Sequence, residues 1–230
     1  MSSLTKASLI LCPVIALACT GKKDCGLVGD WRPISGWKKG VEYEMNLDSD
    51  TLSIHDLKLM RFDQDNIFTF AKGIDDGKEV EVGTYAIDNL CDSITLNTRK
   101  GIQRGKLSFS GNRANIVLTM PKIIKIGLIP INSRTLNEED LTNMSEVVEL
   151  TNLHVFPDIN SRSIIRLYFK NKTNHDLRDI YLHANYKSKN INYTKKHKIW
   201  WIPSNKTIEL KLYIDEIVDD DSVSIQFGRK

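Results

Sequence analysis

Polar and apolar residues trade places one by one along most of this chain. Residues 79–87 read Glu-Val-Glu-Val-Gly-Thr-Tyr-Ala-Ile, and 93–97 read Ser-Ile-Thr-Leu-Asn. Successive side chains on a strand point to opposite faces, so a period of two predicts strands with one buried face. The same signal marks 57–62, 66–70, 106–110 and 115–120. Between these runs, Asp76-Gly77 and Gly111-Asn112 have the backbone freedom that tight hairpins need. The alternation returns at 153–156, 163–169, 180–186, 199–202, 207–214 and 222–227. Two stretches depart from it. Residues 122–131 are apolar apart from two lysines and predict one more strand. Residues 137–148 are polar and suit either a helical turn or a linker. The expected fold class is all-β, with one domain at 26–147 and a smaller one at 148–230.

The order of motifs in the first half carries more. Gly29-Asp30-Trp31 leads to an aromatic strand with Phe68 and Phe70, then to Gly83-Thr84-Tyr85, then to Ser93-Ile94-Thr95-Leu96, and closes on Ile116-Val117-Leu118-Thr119-Met120. This order resembles the lipocalin-like domains of bacterial lipoproteins. The resemblance implies an antiparallel β-barrel, with Trp31 as the plug of one barrel end. Asp30 and residues 37–56 depart from the pattern. In the second half, an Asn-rich turn at 171–176 follows a strand that ends in Phe169-Lys170. That arrangement resembles small bacterial immunoglobulin-like domains and implies a β-sandwich over about 153–227.

The N-terminus breaks the alternation. Lys6 precedes an apolar run at 7–18, too short for a bilayer-spanning helix of roughly 20 residues. A charged start, a short apolar run and small residues at its end mark a secretory signal. Ala16-Leu17-Ala18-Cys19 resembles a bacterial lipobox, with Ala16 where Leu is more usual. The resemblance implies a signal peptide at 1–18, cleavage before Cys19 and a diacylglycerol on the Cys19 thiol. Residues 19–25 become a tether that reaches roughly 3.5 Å per residue. The expected location is a bacterial envelope, at the outer membrane and lipid-anchored, with several acyl chains giving stable attachment.

Charge and cysteine content narrow the function. A net charge of +3 over 230 residues does not suit nucleic-acid binding across the whole surface, so no nucleic-acid partner is expected. Cys12 leaves with the signal and Cys19 is acylated, so Cys25 and Cys91 remain. In an oxidising compartment they are either bonded to each other or two separate thiols. The five histidines have no close zinc spacing, and the short acidic turns lack a terminal Glu for calcium. Neither a Gly-rich phosphate loop nor a Gly-x-Ser-x-Gly elbow is present. No catalytic residue, metal or cofactor is therefore assigned, and an enzyme is not expected.

The most distinctive surface candidate is 187–201, which holds Tyr193, Lys195, Lys196, Trp200 and Trp201. Adjacent strand residues face opposite ways, so one tryptophan is expected inside and the other outside. An outward Trp beside lysines would stack on a sugar, meet anionic headgroups or dock a protein. The competing reading is a charged hairpin loop followed by a strand that its own domain covers. The expected function is non-catalytic: a membrane-anchored envelope lipoprotein binding a small apolar ligand or a protein or glycan partner. The alternative is a structural accessory of an envelope assembly with no small ligand.

Overall fold

A computed structural model of the protein describes residues 25–38, 41–44, 47–75, 80–119, 123–158 and 162–229. The expected signal peptide, Cys19 and the Asp76-Gly77 turn lie outside the described residues. The chain is all-β. The first half holds β1 (Gly29–Lys38), β2 (Val41–Glu44), β3 (Thr51–Ser53), β4 (Lys58–Phe62), β5 (Ile67–Lys72), β6 (Ile74–Asp75), β7 (Val80–Ile87), β8 (Ser93–Thr98), β9 (Gly101–Ser110), β10 (Arg113–Leu118) and β11 (Ile124–Pro130). Eight of them pair in the order β1-β4-β5-β7-β8-β9-β10-β11, and β11 returns to β1. At that closure Trp31 lies opposite Pro130, and Trp37 opposite Lys125. The result is a closed, eight-stranded antiparallel barrel, and β2 folds back on β1.

The alternation explains the barrel interior. Every one of the eight strands sends side chains into a single core: Trp31, Phe62, Phe68, Tyr85, Ile94, Leu107, Ile116 and Leu128 among them. Eight-stranded barrels have interiors that side chains can fill, and this one is filled in that way along its Trp31 end. Tyr85 meets Phe62 edge-on at 5.1 Å between ring centroids. Cys25 and Cys91 are bonded, with Cα atoms 5.6 Å apart. The bond ties the segment before β1 to the turn between β7 and β8.

The second half holds β12 (Ser133–Arg134), α1 (Glu138–Thr142), α2 (Met144–Val147), β13 (Val148–Pro157), β14 (Ser163–Asn171), β15 (Asp176–Ser188), β16 (Ile191–Ile202), β17 (Thr207–Ile214) and β18 (Ser224–Gly228). The polar stretch at 137–148 forms the two short helices, and Asn137 and Asp140 start α1 by exchanging backbone and side-chain hydrogen bonds at 2.8 Å in a capping box. Two sheets face each other here. One has the order β13-β14-β17-β3; the other runs β12-β15-β16-β6, with β18 also on β15. Ile165, Leu167 and Phe169 from one sheet and Ile180, Leu182 and Trp201 from the other share one core.

Two strands of this sandwich come from the first half. β3 adds in parallel to β17, and β6 adds antiparallel to β16. Leu52, Ile54 and Ile74 accordingly lie in the sandwich core. Residues on both sides of position 147 thus build the same sheets. Gly73 sits where the chain passes from the barrel strand β5 to the sandwich strand β6. Its N–H donates to the Leu57 carbonyl at 2.7 Å, and its own carbonyl accepts from the Trp200 N–H at 3.0 Å. A Cβ there would fall 1.8 Å from the Ile54 carbonyl oxygen, so the approach requires glycine.

Candidate functional site

An open groove of about 480 Å³ lies at the barrel end that holds Trp31. Its walls come from the residues before β1, the β9–β10 turn at Gly111 and Asn112, and the end of β11. Val28 and Phe109 line it and are 38% and 39% exposed, and Pro130 and Ile131 complete the apolar rim. The local sequence explains this shape. Gly29 adopts φ of 139°, a conformation favouring glycine, and the strand then alternates. Trp31 turns into the barrel, 5% exposed, and its indole N–H donates to the Leu27 carbonyl at 2.7 Å. The ring therefore forms the floor that separates the groove from the barrel core.

Asp30 turns the other way, out of the barrel and under the sandwich. Its side chain is 2% exposed. It accepts from Arg61 Nε at 2.6 Å, from Ser133 Oγ at 2.7 Å and from Arg178 Nη1 at 2.9 Å. Arg61 also reaches Asp179 at 3.2 Å, and Lys198 Nζ reaches the same carboxylate at 2.7 Å. This seam thus joins one barrel acid and one barrel base to Arg178, Asp179 and Lys198 of the sandwich. Burial pushes the Asp30 carboxyl up, but the hydrogen bond and charge of Arg61, with Ser133 and Arg178, hold it below the ordinary carboxylate value. Burial pulls the Arg61 guanidinium down while Asp30 and Asp179 lift it above its usual range. Both groups stay ionised. Asp30 serves the seam, and no acid–base chemistry follows from it.

The Trp200 and Trp201 pair differs from the surface expectation. The two rings do face opposite ways. Trp201 enters the sandwich core and donates its indole N–H to Asp176 at 3.0 Å. Trp200 faces out of its own sheet, but the barrel wall covers it: Leu59 and Ala71 pack on it, and it is 9% exposed. Among the described residues its indole nitrogen has no hydrogen-bond partner, while Lys198 Nζ sits 3.6 Å from the ring centroid. Neither ring is presented to an outside partner, because the outward position meets the barrel rather than solvent. Tyr193 and Lys195 lie on the core side of β16, Tyr193 stacked on Tyr186 at 5.4 Å. Lys196 alone of the five is exposed, with its ammonium over the Tyr181 ring at 4.6 Å.

β16 extends back to Ile191, so the lysine-rich run is a strand and not a loop. Its turn is made at Lys189 and Asn190, both with positive φ. The sequence reading missed Val28 and Phe109 as groove residues and Asp30 as the hub of the seam. A lone acid beside a core tryptophan in an alternating strand was the available signal. Among the described residues, no three of His, Cys, Asp and Glu come together to hold a metal. No known family model and no curated relative matches this chain.

Proposed function

We propose that the protein is a membrane-anchored, non-catalytic binding lipoprotein of a bacterial envelope. It is cleaved before Cys19, acylated there and held at the outer membrane. The barrel is lipocalin-like and sits next to the bilayer, with an immunoglobulin-like sandwich fastened to its side. Its ligand is a small apolar molecule, taken into the groove above Trp31. The observation that carries this is the groove itself: its volume falls in the range of about 300–1,000 Å³ usual for ligand sites, and Val28, Trp31, Phe109, Pro130 and Ile131 line it beside Asp30 and Asn112. Large apolar side chains exposed together, as Val28 and Phe109 are, mark binding surfaces.

The test is purification from native membranes followed by mass spectrometry of the small molecules that come with the protein. An apolar species should accompany the parent and be lost in Phe109→Asp, with the melt unchanged. Equal recovery from both proteins would overturn the groove assignment. Acylation has its own test: labelling with a fatty-acid analogue should fail in Cys19→Ser, and persistence of label there would overturn the anchor. A structural accessory role without a small ligand is the second reading. The side-chain-filled barrel core favours it.

A further inference from the structure

We propose that the barrel wall made by β8, β9 and β10, with Lys125 at the adjoining start of β11, docks on an anionic lipid bilayer. Residues 93–137 contain eight Lys and Arg and no Asp or Glu. The whole chain has a net charge of +3, so the rest of it carries −5. The strand register gathers part of this charge on one face. Lys106 lies opposite Val117, and Val117 lies opposite Lys125. Arg104 is two residues from Lys106 on the same strand and so shares its face. Arg99 and Lys100 extend the face at the β8–β9 turn, and Arg113 extends it at the other end. All six cations are exposed. Lys100 reaches Glu81 at 4.0 Å; the other five make no ion pair among the described residues.

The wall is free of the sandwich. In the closed strand order, β8, β9 and β10 lie across the barrel from β1, β4 and β5, which carry the seam. An apolar side chain stands among the cations: Ile102 is 58% exposed and lies two residues from Arg104 on the same face of β9. Cations interleaved with apolar groups suit a headgroup boundary, where each finds its own partner. The disulfide adds position. It holds Cys25 at the turn that leads into β8, and Cys19 is six residues earlier, about 20 Å of extended chain at most. A lipid at Cys19 would thus bring this wall within reach of the bilayer. That orientation rests on the anchor reading, whereas the charge-driven contact does not.

The test is co-sedimentation of the chain starting at Thr20, which keeps every described residue and carries no lipid. Its failure leaves the anchor untouched, and failure of acylation at Cys19 leaves the vesicle result standing. The chain should bind vesicles of phosphatidylglycerol and phosphatidylcholine at about 50 mM salt, and release at about 0.5 M, where screening shortens to a few ångströms. Vesicles of phosphatidylcholine alone should not bind it. Replacing Arg104, Lys106 and Lys125 together by Glu should weaken binding at least about tenfold. The corresponding Gln triple should weaken it less. The same charge change made on the sandwich, at Lys170, Lys187 and Lys189, should leave binding as it was. Absence of vesicle binding, equal loss in both Glu triples, or capture by a DNA duplex but not by vesicles would each overturn the proposal.

Discussion

The two opposite walls of the barrel have the same pleat and opposite fates. On the β1–β4–β5 wall, the outward residues include Asp30, Leu59, Arg61 and Ala71; the sandwich buries Asp30, Leu59 and Ala71 and leaves Arg61 half-buried. On the β8–β9–β10 wall, the outward residues include Arg104, Lys106 and Asn115, and all are exposed. Inside, both walls feed the same apolar core. Alternation decides which residues point outward, but it does not decide what waits there. On the first wall, a second layer takes Asp30 out of water and so demands paired cations. On the second, the charges stay solvated, so they contribute little to stability and are available for recognition.

The comparison can be broken from the inside first. Trp31 serves the core common to both walls, and replacing a large buried ring with Ala costs about 3–5 kcal/mol. Trp31→Ala should therefore lower the melting temperature most, as measured by circular dichroism. A variant melting within error of the parent would remove Trp31 from the core.

Asp30→Ala attacks the covered wall and leaves Arg61 and Arg178 without their shared carboxylate. Breaking a buried pair by removing one partner costs about 3–5 kcal/mol. The pH dependence has a definite sign. The Asp30 pKa is lowered on folding, so its contribution is full above the ordinary carboxylate value of about 3.9 and is lost as pH falls through the lowered folded value. Acid titration of stability should be shallower in Asp30→Asn than in the parent. Identical acid profiles would mean the seam carboxylate is not coupled to folding.

The disulfide lies between the walls in effect as in place. Cys91→Ser opens a link across 66 residues and should cost about 2–4 kcal/mol in urea unfolding, chiefly by freeing the unfolded chain. The smallest effect belongs to the exposed wall. The Arg104, Lys106 and Lys125 triple substitution to Gln should leave unfolding free energy within about 0.5 kcal/mol of the parent. A large loss there would mean that those side chains hold the fold, and the contrast between the walls would disappear.

Much of this architecture was legible in the sequence, because the strands that matter alternate. Residues 79–87 and 163–169 predicted strands that are present as β7 and β14. β16 was seen only at its apolar end, since the lysines of 195–198 mask a strand whose two faces are both polar there. The pairings of β3 and β6 with the sandwich were not readable. Each is two or three residues long, and their partners lie more than 120 positions away. The burial of Trp200 was hidden for a related reason. One of the two rings was expected to face outward; that ring is Trp200, and the layer covering it comes from β4 and β5. The groove was hidden too, as Val28, Phe109 and Pro130 are brought together only by closure of the barrel.

The covered wall, with its buried charges, and the strands β3 and β6 fasten barrel and sandwich into one unit. Differential scanning calorimetry of the chain from Thr20 tests this most directly. The account predicts a single transition whose calorimetric and van't Hoff enthalpies agree, as for one cooperative fold. Two resolved transitions, with Asp30→Asn shifting neither relative to the other, would contradict it.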